Sequence, residues 1–338
     1  MRYLNTLYVR SHQARVAHRR GSLVVSRPEG VQRVPLEGID AVVVLGGAQM
    51  TMQAIDACVG RGVRVAVLRR NGAVRFVVNG ATGGNVHLRM ALYRVVADDV
   101  LALAMAKATV AAKLQSSARV VGRWSRDEKD CAMKRALADR ADQIRSRIQR
   151  LEAAPSADHV RGIEGDAARI YFRAMGCVVA STDLDFSART RRPPRDPVNA
   201  MLGFCYGLLL TECIGALEST GLDYQMGFFH RPRSGRPSLA LDLVEELRAM
   251  TDRFVVSLVR RRQVSEDSFQ STPGGAVYLT DHGRQSLISA WERHKDTEVP
   301  HRILGQAIGR WALPSVQATL LARHLRGDLP AYPPFVLA

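Results

Sequence analysis

The sequence is short of acidic residues. Asp and Glu total 32 of 338 residues against 48 Lys and Arg, which gives a formal net charge of +16. A positive field of this size favours polyanions, so nucleic acid is the first partner to expect and an anionic membrane surface the second. The hydrophobic fraction of 46% and the charged fraction of 24% are ordinary globular values, which exclude wholesale disorder.

Four other features are missing. No stretch approaches the roughly 18–20 uninterrupted apolar residues of a membrane span, and the first ten residues lack the apolar core of a signal peptide. We therefore expect a cytoplasmic protein that contacts no membrane. The five cysteines have no CxxC spacing, which excludes a zinc ribbon and predicts buried, unpaired thiols. Gly80, Gly83 and Gly84 do not form a GxGxxG pattern, which excludes a dinucleotide-binding enzyme.

Two patterns follow one another along a chain that is long enough for two domains. Residues 1–84 alternate β-rich runs with turn residues, and only residues 51–59 carry helical signals. After the glycine-rich linker at 79–84, apolar residues recur at helical spacing as far as about residue 325. We predict an α+β multidomain protein with a small β-rich N-terminal domain (1–84) and a larger all-α catalytic domain (85–338).

The second domain is predicted to consist of consecutive helices. Apolar residues between 88 and 105 fit one helical face. Further helices are predicted at 131–151, 159–175, 197–219, 237–262, 284–294 and 302–325. The prolines at 330, 333 and 334 cannot continue the last helix, so the C-terminal tail is expected to pack or to fray.

Glu164 is the first candidate functional residue. It lies between Gly162 and Gly165 where a helix is predicted. An acid in the first turn complements the helix dipole, so a purely structural role is one interpretation. A catalytic role is the other, and this segment alone does not separate them.

Asp242 and Glu245 form the second candidate site. They lie three residues apart on a predicted helix and therefore share a face, close to its apolar side. Buried carboxylates need a cation, which is either an arginine or a metal. Arg248 is the arginine within reach, whereas His230 would complete a metal site, since neutral imidazole with carboxylates suits Mn²⁺ and tolerates Mg²⁺. Glu246 is expected to face solvent.

Two arginine-rich loops lie beside these acidic motifs in the sequence. Guanidinium groups bind phosphate oxygens bidentately, although a solvated basic loop is the alternative. The first loop contains Arg189, Arg191, Arg192 and Arg195, and the second contains Arg231, Arg233 and Arg236. Metal-held carboxylates bordered by arginines fit the cleavage or joining of a phosphodiester backbone.

Several separated motifs, in this order along the chain, resemble a known family. They are GIEGDAARIYF at 162–172, RPPRDPVN at 192–199, GFFH at 227–230 and GRPSLALDLVE at 235–245, with a further similarity over 38–68. The sequence resembles the CRISPR-associated integrase/endonuclease of the adaptation machinery, the first-numbered Cas protein family. The resemblance covers nearly the whole chain.

The resemblance implies a set of metal ligands. The glutamate, histidine and acidic ligands of the family fall on Glu164, His230 and Glu245, with Asp242 as a secondary ligand. Whether Asp242 or Glu245 is the main third ligand stays open, and the metal would be Mg²⁺ or Mn²⁺. The arginines expected to bind DNA are Arg189, Arg191, Arg192, Arg231, Arg233 and Arg248.

The resemblance also implies a reaction and partners. The protein would insert short foreign DNA segments, or spacers, into a CRISPR array by 3′-hydroxyl attack on a phosphodiester at the repeat boundary. It would form a homodimer through the β-rich domain, and two homodimers would bracket a dimer of the small second-numbered Cas protein. Double-stranded DNA would be the substrate. The alternatives are a stand-alone metal-dependent nuclease for branched DNA and a non-catalytic DNA-binding scaffold.

Overall fold

The computed structural model describes residues 6–11, 13–69, 72, 74–78 and 86–338. The chain divides into two compact units, Met1–Gly84 with Gly203–Thr211 and Asn85–Leu202 with Glu212–Ala338. The linker predicted at 79–84 lies outside the described residues. A domain boundary between residues 84 and 85 stays a prediction.

The first unit contains two four-stranded sheets. One has the order β1-β5-β7-β8, with parallel pairing of β1, β5 and β7, and the other has the order β4-β3-β2-β6. The strands are β1 (Thr6–Val9), β2 (Arg15–Arg19), β3 (Ser22–Arg27), β4 (Gly30–Pro35), β5 (Ala41–Leu45), β6 (Gln49–Met50), β7 (Arg64–Leu68) and β8 (Val74–Val78), and the helix is α1 (Met52–Val59).

Burial explains why β5 and β7 are almost entirely apolar. Parallel strands covered on both faces have continuous apolar runs rather than an alternating pattern. Val42 of β5 and Val65 of β7 lie in one buried cluster with Val16 and Leu23 of the other sheet. Helix α1 contributes to the same cluster and begins where Thr51 accepts a hydrogen bond from the Ala54 amide. The two sheets therefore share a core within this unit.

Most of the remaining chain is helical. The helices are α2 (Val86–Ala97), α3 (Asp99–Asp127), α4 (Cys131–Glu152), α5 (Ala157–Val179), α6 (Pro197–Thr220), α7 (Ser238–Arg260), α8 (Asp281–Asp296) and α9 (Leu313–Leu325). Two antiparallel strand pairs join them, β9 (Phe269–Ser271) with β10 (Val277–Leu279) and β11 (Glu298–His301) with β12 (Gln306–Gly309). The predicted fold class, a β-rich region before a larger helical one, is confirmed, and the two hairpins add to it.

The helix predicted at 302–325 was wrong in its first half. Strands β11 and β12 pair there, and Gly305 turns the chain between them with a φ of +65°, a conformation that favours glycine. The apolar residues Ile303 and Leu304 lie exposed in the turn of this hairpin instead of on a helical face. Helix α9 starts only at Leu313, with a proline in its first turn.

Helix α6 is long and apolar enough to cross a membrane by length and composition, but 72% of its most apolar window is buried inside the protein. Buried core helices are apolar all round in the same way. The five cysteines are free thiols, as predicted. Two cysteines depart from the expected burial: Cys131 begins the exposed N-terminal turn of α4, and Cys177 is half-buried.

Candidate active site

Two of the predicted acidic residues meet at one ammonium group. Glu164 lies on α5 and Glu245 on α7, and Lys113 of α3 reaches both. Lys113 Nζ donates to Glu164 Oε1 and lies 2.6 Å from Glu245 Oε2. The three helices pack against one another in pairs, so the cluster is held by rigid elements.

The surroundings of Glu245 keep it ionised. Its side chain is 3% exposed, and its Oε1 lies 2.8 Å from Arg248 Nη2. Burial opposes ionisation, but the cations Arg248 and Lys113 outweigh burial and lower the pKa of Glu245 to about 2. The sequence left two kinds of cation open for Glu245, an arginine or a metal. The structure shows the arginine in contact with it.

Asp242 holds the segment that carries His230. This fully buried carboxylate accepts hydrogen bonds from the backbone N–H groups of Phe228 at 2.8 Å, Phe229 at 3.1 Å and His230 at 2.8 Å. The Nδ1 atom of His230 lies 2.7 Å from Asp242 Oδ1. Burial raises the pKa of Asp242 in spite of these four contacts.

The contact with Asp242 also selects the tautomer of His230. When Asp242 is ionised its oxygens can only accept hydrogen bonds, and Nδ1 of the imidazole then carries the proton. The lone pair then lies on Nε2, which is the arrangement of a histidine that binds a metal while a carboxylate orients its ring.

Gly227 permits the close turn before His230. A Cβ atom at this position would come within 2.6 Å of the His230 carbonyl oxygen and 2.7 Å of the Ser238 carbonyl carbon. The segment 227–230 is thus folded tightly against the start of α7. A glycine at the first position of the GFFH motif has a steric reason here.

The predicted ligands form two contacting groups. Glu164 and Glu245 meet at Lys113, whereas His230 contacts Asp242. His230 is nevertheless near enough to Glu245 that its imidazole, when protonated, lowers the pKa of Glu245. Among residues 6–11, 13–69, 72, 74–78 and 86–338, no three His, Cys, Asp or Glu side chains form a group that could hold a metal ion. The ammonium of Lys113 stands between the two carboxylates.

Glu246 contradicts the expectation that it faces solvent. It is 2% exposed and accepts hydrogen bonds from Tyr332 Oη at 2.7 Å, the Phe335 amide at 2.8 Å and Gln317 Nε2 at 2.8 Å. The prediction failed because the C-terminal tail folds over this face of α7 and buries it. Burial raises the pKa of Glu246 to about 7 against these hydrogen bonds.

The arginines predicted to bind DNA fall into two groups. Arg189 donates to Asn199 Oδ1 at 2.7 Å, and Arg248 pairs with Glu245, so both guanidinium groups have partners inside the protein. The others are exposed on loops and remain open to a phosphate. These are Arg191, Arg192, Arg231 and Arg233.

Sequence reasoning missed a cavity lined with arginines. It has a volume of about 270 Å³ and is bordered by the C-terminal residues Leu337 and Ala338. Its arginines are Arg119, Arg123 and Arg126 of α3, Arg145 of α4 and Arg253 of α7. The spacing of the three arginines on α3 places them on one helical face, a signal the sequence did contain.

Lys113 was also missed. It lies in a run of small and apolar residues, and its side chain is 7% exposed. Thr109 and Ser116, one turn before and one turn after, are buried as well. A lone cation on a buried polar strip of a long helix is the signal that could have indicated it, because a buried ammonium requires acidic partners.

The fold and the site together define a class. A buried and a half-buried carboxylate on adjacent helices, an imidazole oriented by a carboxylate and arginine-rich surfaces are typical of proteins that process nucleic-acid phosphodiesters with a divalent cation. The family model described as CRISPR associated protein Cas1 matches residues 7–293. The chain belongs to the Cas1 family.

Curated relatives match along almost the whole chain. A CRISPR-associated endonuclease Cas1 of Rhodospirillum rubrum is 42% identical over 343 residues, covering 98% of this chain and 98% of the relative. One from Moorella thermoacetica is 37% identical over 338 residues, again covering 98% of each.

Solved structures share the fold. A casposase bound to an integration product has a TM-score of 0.84 at 23% identity, covering 97% of this chain and 92% of that one. A Cas1 protein from Thermotoga maritima has a TM-score of 0.83 at 19% identity, with 99% of both chains covered. A chain of a Cas6-RT-Cas1–Cas2 complex has a TM-score of 0.82 at 20% identity, covering 99% of this chain and 36% of that one.

Proposed function

We propose that this protein is a metal-dependent DNA endonuclease and integrase of CRISPR adaptation, which inserts short foreign DNA segments into a CRISPR array. The observation that carries the proposal is the meeting of Glu164 and Glu245, from two different helices, at one buried cation position. The endonuclease names of relatives 42% and 37% identical over nearly the full chain support it.

The donor types of the site suit a divalent metal, although Glu164 and Glu245 at Lys113 and His230 at Asp242 form separate groups in the structure. Glu245 Oε2 is buried, and although it lies 2.6 Å from Lys113 Nζ it receives no well-directed hydrogen bond from the described residues. A buried carboxylate oxygen in this state is a ready ligand for a hard cation. Glu164, Glu245 and Nε2 of His230 would hold Mg²⁺ or Mn²⁺, and Asp242 would orient His230 rather than serve as the main third ligand.

The neighbouring residues would support the metal in different ways. A bound divalent cation lowers the pKa of an attacking hydroxyl and neutralises charge developing on the phosphate. Arg248 fixes the Glu245 carboxylate through its other oxygen. Asp242 holds the His230 ring and keeps the proton on Nδ1. A 3′-hydroxyl placed at this site would join strands, and a water in the same position would cleave them.

The arginines supply the DNA-binding surface. Arg191, Arg192, Arg231 and Arg233 would hold backbone phosphates near the site, and the arginine-lined cavity would add a further phosphate contact. Arg189 and Arg248 would support the structure instead, because their partners lie within the protein. Binding through phosphates weakens steeply as the salt concentration rises.

The assembly follows from the same proposal. The protein acts in the cytoplasm as a homodimer, and two homodimers bracket a dimer of the small Cas2 protein on double-stranded DNA. The open sheets of the first unit support a dimer contact there, since their edge strands β1, β8, β4 and β6 leave backbone groups that need covering. The structural likeness to a chain of a complex that contains Cas1 and Cas2 supports the partner.

A joining assay tests the proposal against its alternatives. A labelled short duplex is incubated with the wild-type protein, Cas2, Mn²⁺ and a plasmid that carries a CRISPR repeat. Joined product that disappears with chelator is expected. Cleavage of branched DNA without any joining would favour a stand-alone nuclease, and DNA binding that persists unchanged in chelator without any reaction would favour a scaffold.

A further inference from the structure

We propose that Lys113 is an internal counter-ion, which occupies the cation position between Glu164 and Glu245 in the metal-free protein and withdraws from it when a divalent cation binds. The inference rests on the proposed metal-dependent function. It makes Lys113 a positioning residue that controls how tightly the site takes its metal.

The first step in the reasoning is charge. Two carboxylates held close together repel one another unless a cation lies between them. Lys113 supplies that cation at contact distance from both Glu164 and Glu245. The ammonium of Lys113 therefore offsets the repulsion between the two carboxylates in the metal-free protein.

The second step is the division of Glu245 between two cations. Arg248 lies 2.8 Å from Oε1, whereas Lys113 lies 2.6 Å from Oε2. Departure of Lys113 would free Oε2 and leave Arg248 to hold the carboxylate in place. A lysine suits the movable role because it is a point charge on a flexible stem, while the planar guanidinium makes fixed contacts.

The third step concerns the geometry of the contact between Lys113 and Glu245. Although the ammonium lies close to Glu245 Oε2, this oxygen accepts no well-directed hydrogen bond from it. The pair is held mainly by charge, which a divalent cation at the same place would supply twice over. Entry of the metal therefore competes directly with Lys113.

Removing the competitor should strengthen metal binding. In Lys113→Met the carboxylates lose their counter-ion but keep a side chain of similar length. Mn²⁺ affinity measured by calorimetry is expected to rise by at least about tenfold, because a like charge no longer has to be displaced. Lys107→Met is the matched control, since Lys107 lies on the same helix and donates to the Glu152 carbonyl oxygen at 2.8 Å. Its Mn²⁺ affinity should equal that of the wild type.

A second measurement needs no variant. Lys113 is 7% exposed, so an amine-acylating reagent should modify it slowly in the metal-free protein. Saturating Mn²⁺ is expected to raise its labelling rate several-fold in peptide mapping, with Lys107 unchanged. Unaltered labelling of Lys113 at saturating Mn²⁺, or equal Mn²⁺ affinity of Lys113→Met and the wild type, would overturn the inference.

Glu164→Gln separates this inference from the proposed function. If the wild type binds Mn²⁺ and Glu164→Gln does not, the metal site stands whatever Lys113 does. If Mn²⁺ binding by the wild type is undetectable or survives unchanged in Glu164→Gln, the site itself is wrong, and the role of Lys113 fails with it.

Discussion

Replacement of Asp242 by asparagine should damage the site without changing its shape. The Asp242 carboxylate receives four N–H groups, two on each oxygen, from Phe228, Phe229 and His230. An asparagine has only one oxygen, and its amide N–H groups would face the two donors that remain. Two buried donors would then lose their acceptor.

The cost can be worked from these contacts. Each unsatisfied buried donor costs about 1–3 kcal/mol, so Asp242→Asn should lower the free energy of unfolding by about 2–6 kcal/mol. If the amide turns toward His230 it favours the tautomer with the proton on Nε2, which leaves no lone pair on Nε2 for the metal. Metal-dependent cleavage should therefore fall as well, in protein that remains folded at the assay temperature.

Urea unfolding measures the first effect. The control is Asp183→Asn, because Asp183 is 67% exposed in an ion pair with Arg262 and such pairs contribute about 0–1 kcal/mol. If Asp242→Asn lowers the free energy of unfolding no more than the control does, Asp242 is not the buried acceptor that orders residues 228–230.

Three further predictions concern other parts of the helical unit. Burial, with Arg310 and Arg253 nearby, lowers the pKa of His294 from 6.5 to about 3, so stability present above about pH 6.5 is lost as the pH falls towards 3. As the pH is lowered from 6.5 to 5, the free energy of unfolding of His294→Phe should fall by about 2 kcal/mol less than that of the wild type, measured by urea unfolding. Parallel pH profiles of the two proteins would contradict this. Tyr332→Phe removes a donor to Glu246 and should cost about 1–2 kcal/mol in the same assay, whereas an unchanged midpoint would mean that the tail is not anchored there. Arg253→Gln should reduce the slope of log affinity against log salt concentration by about 1 in DNA filter binding. An unchanged slope would mean that the arginine-lined cavity does not contact DNA.

Local capping side chains mark several of the helix starts. Thr51, Asp130, Ser156 and Asp196 each accept a hydrogen bond from an amide in the first turn of the following helix. These side chains stop the preceding extended segment and satisfy donors at the helix end, and both effects depend on three or four neighbouring residues. Helices governed by such signals are therefore readable from sequence.

Long-range packing accounts for the errors. Glu246 was assigned to solvent because only its own helix was considered, whereas its partners Gln317, Tyr332 and Phe335 lie 71 to 89 residues away. The predicted helix at 302–325 overlaps the turn and second strand of the hairpin at 298–309, because strand pairing depends on a partner that periodicity does not reveal. Lys113 went unnoticed because Glu164 is 51 residues distant along the chain.

The site could be predicted only in part. Motif resemblance singled out Glu164, His230, Asp242 and Glu245, and the structure shows how these side chains contact one another. The sequence left the roles of Asp242 and Glu245 open, and only the geometry, with Asp242 against the imidazole and Glu245 against two cations, favours one assignment. Contacts between helices far apart in the chain decide such roles.

Strand transfer by Glu164→Gln tests the central claim most directly. A labelled duplex, a plasmid with a CRISPR repeat, Cas2 and Mn²⁺ are combined with the wild type, with Glu164→Gln and with the control Glu152→Gln, whose side chain is exposed at the end of α4. Joined product is expected from the wild type and the control, and none above background from Glu164→Gln. Joining by Glu164→Gln at the wild-type rate would contradict the assignment of the Glu164–Glu245 pair as the catalytic centre.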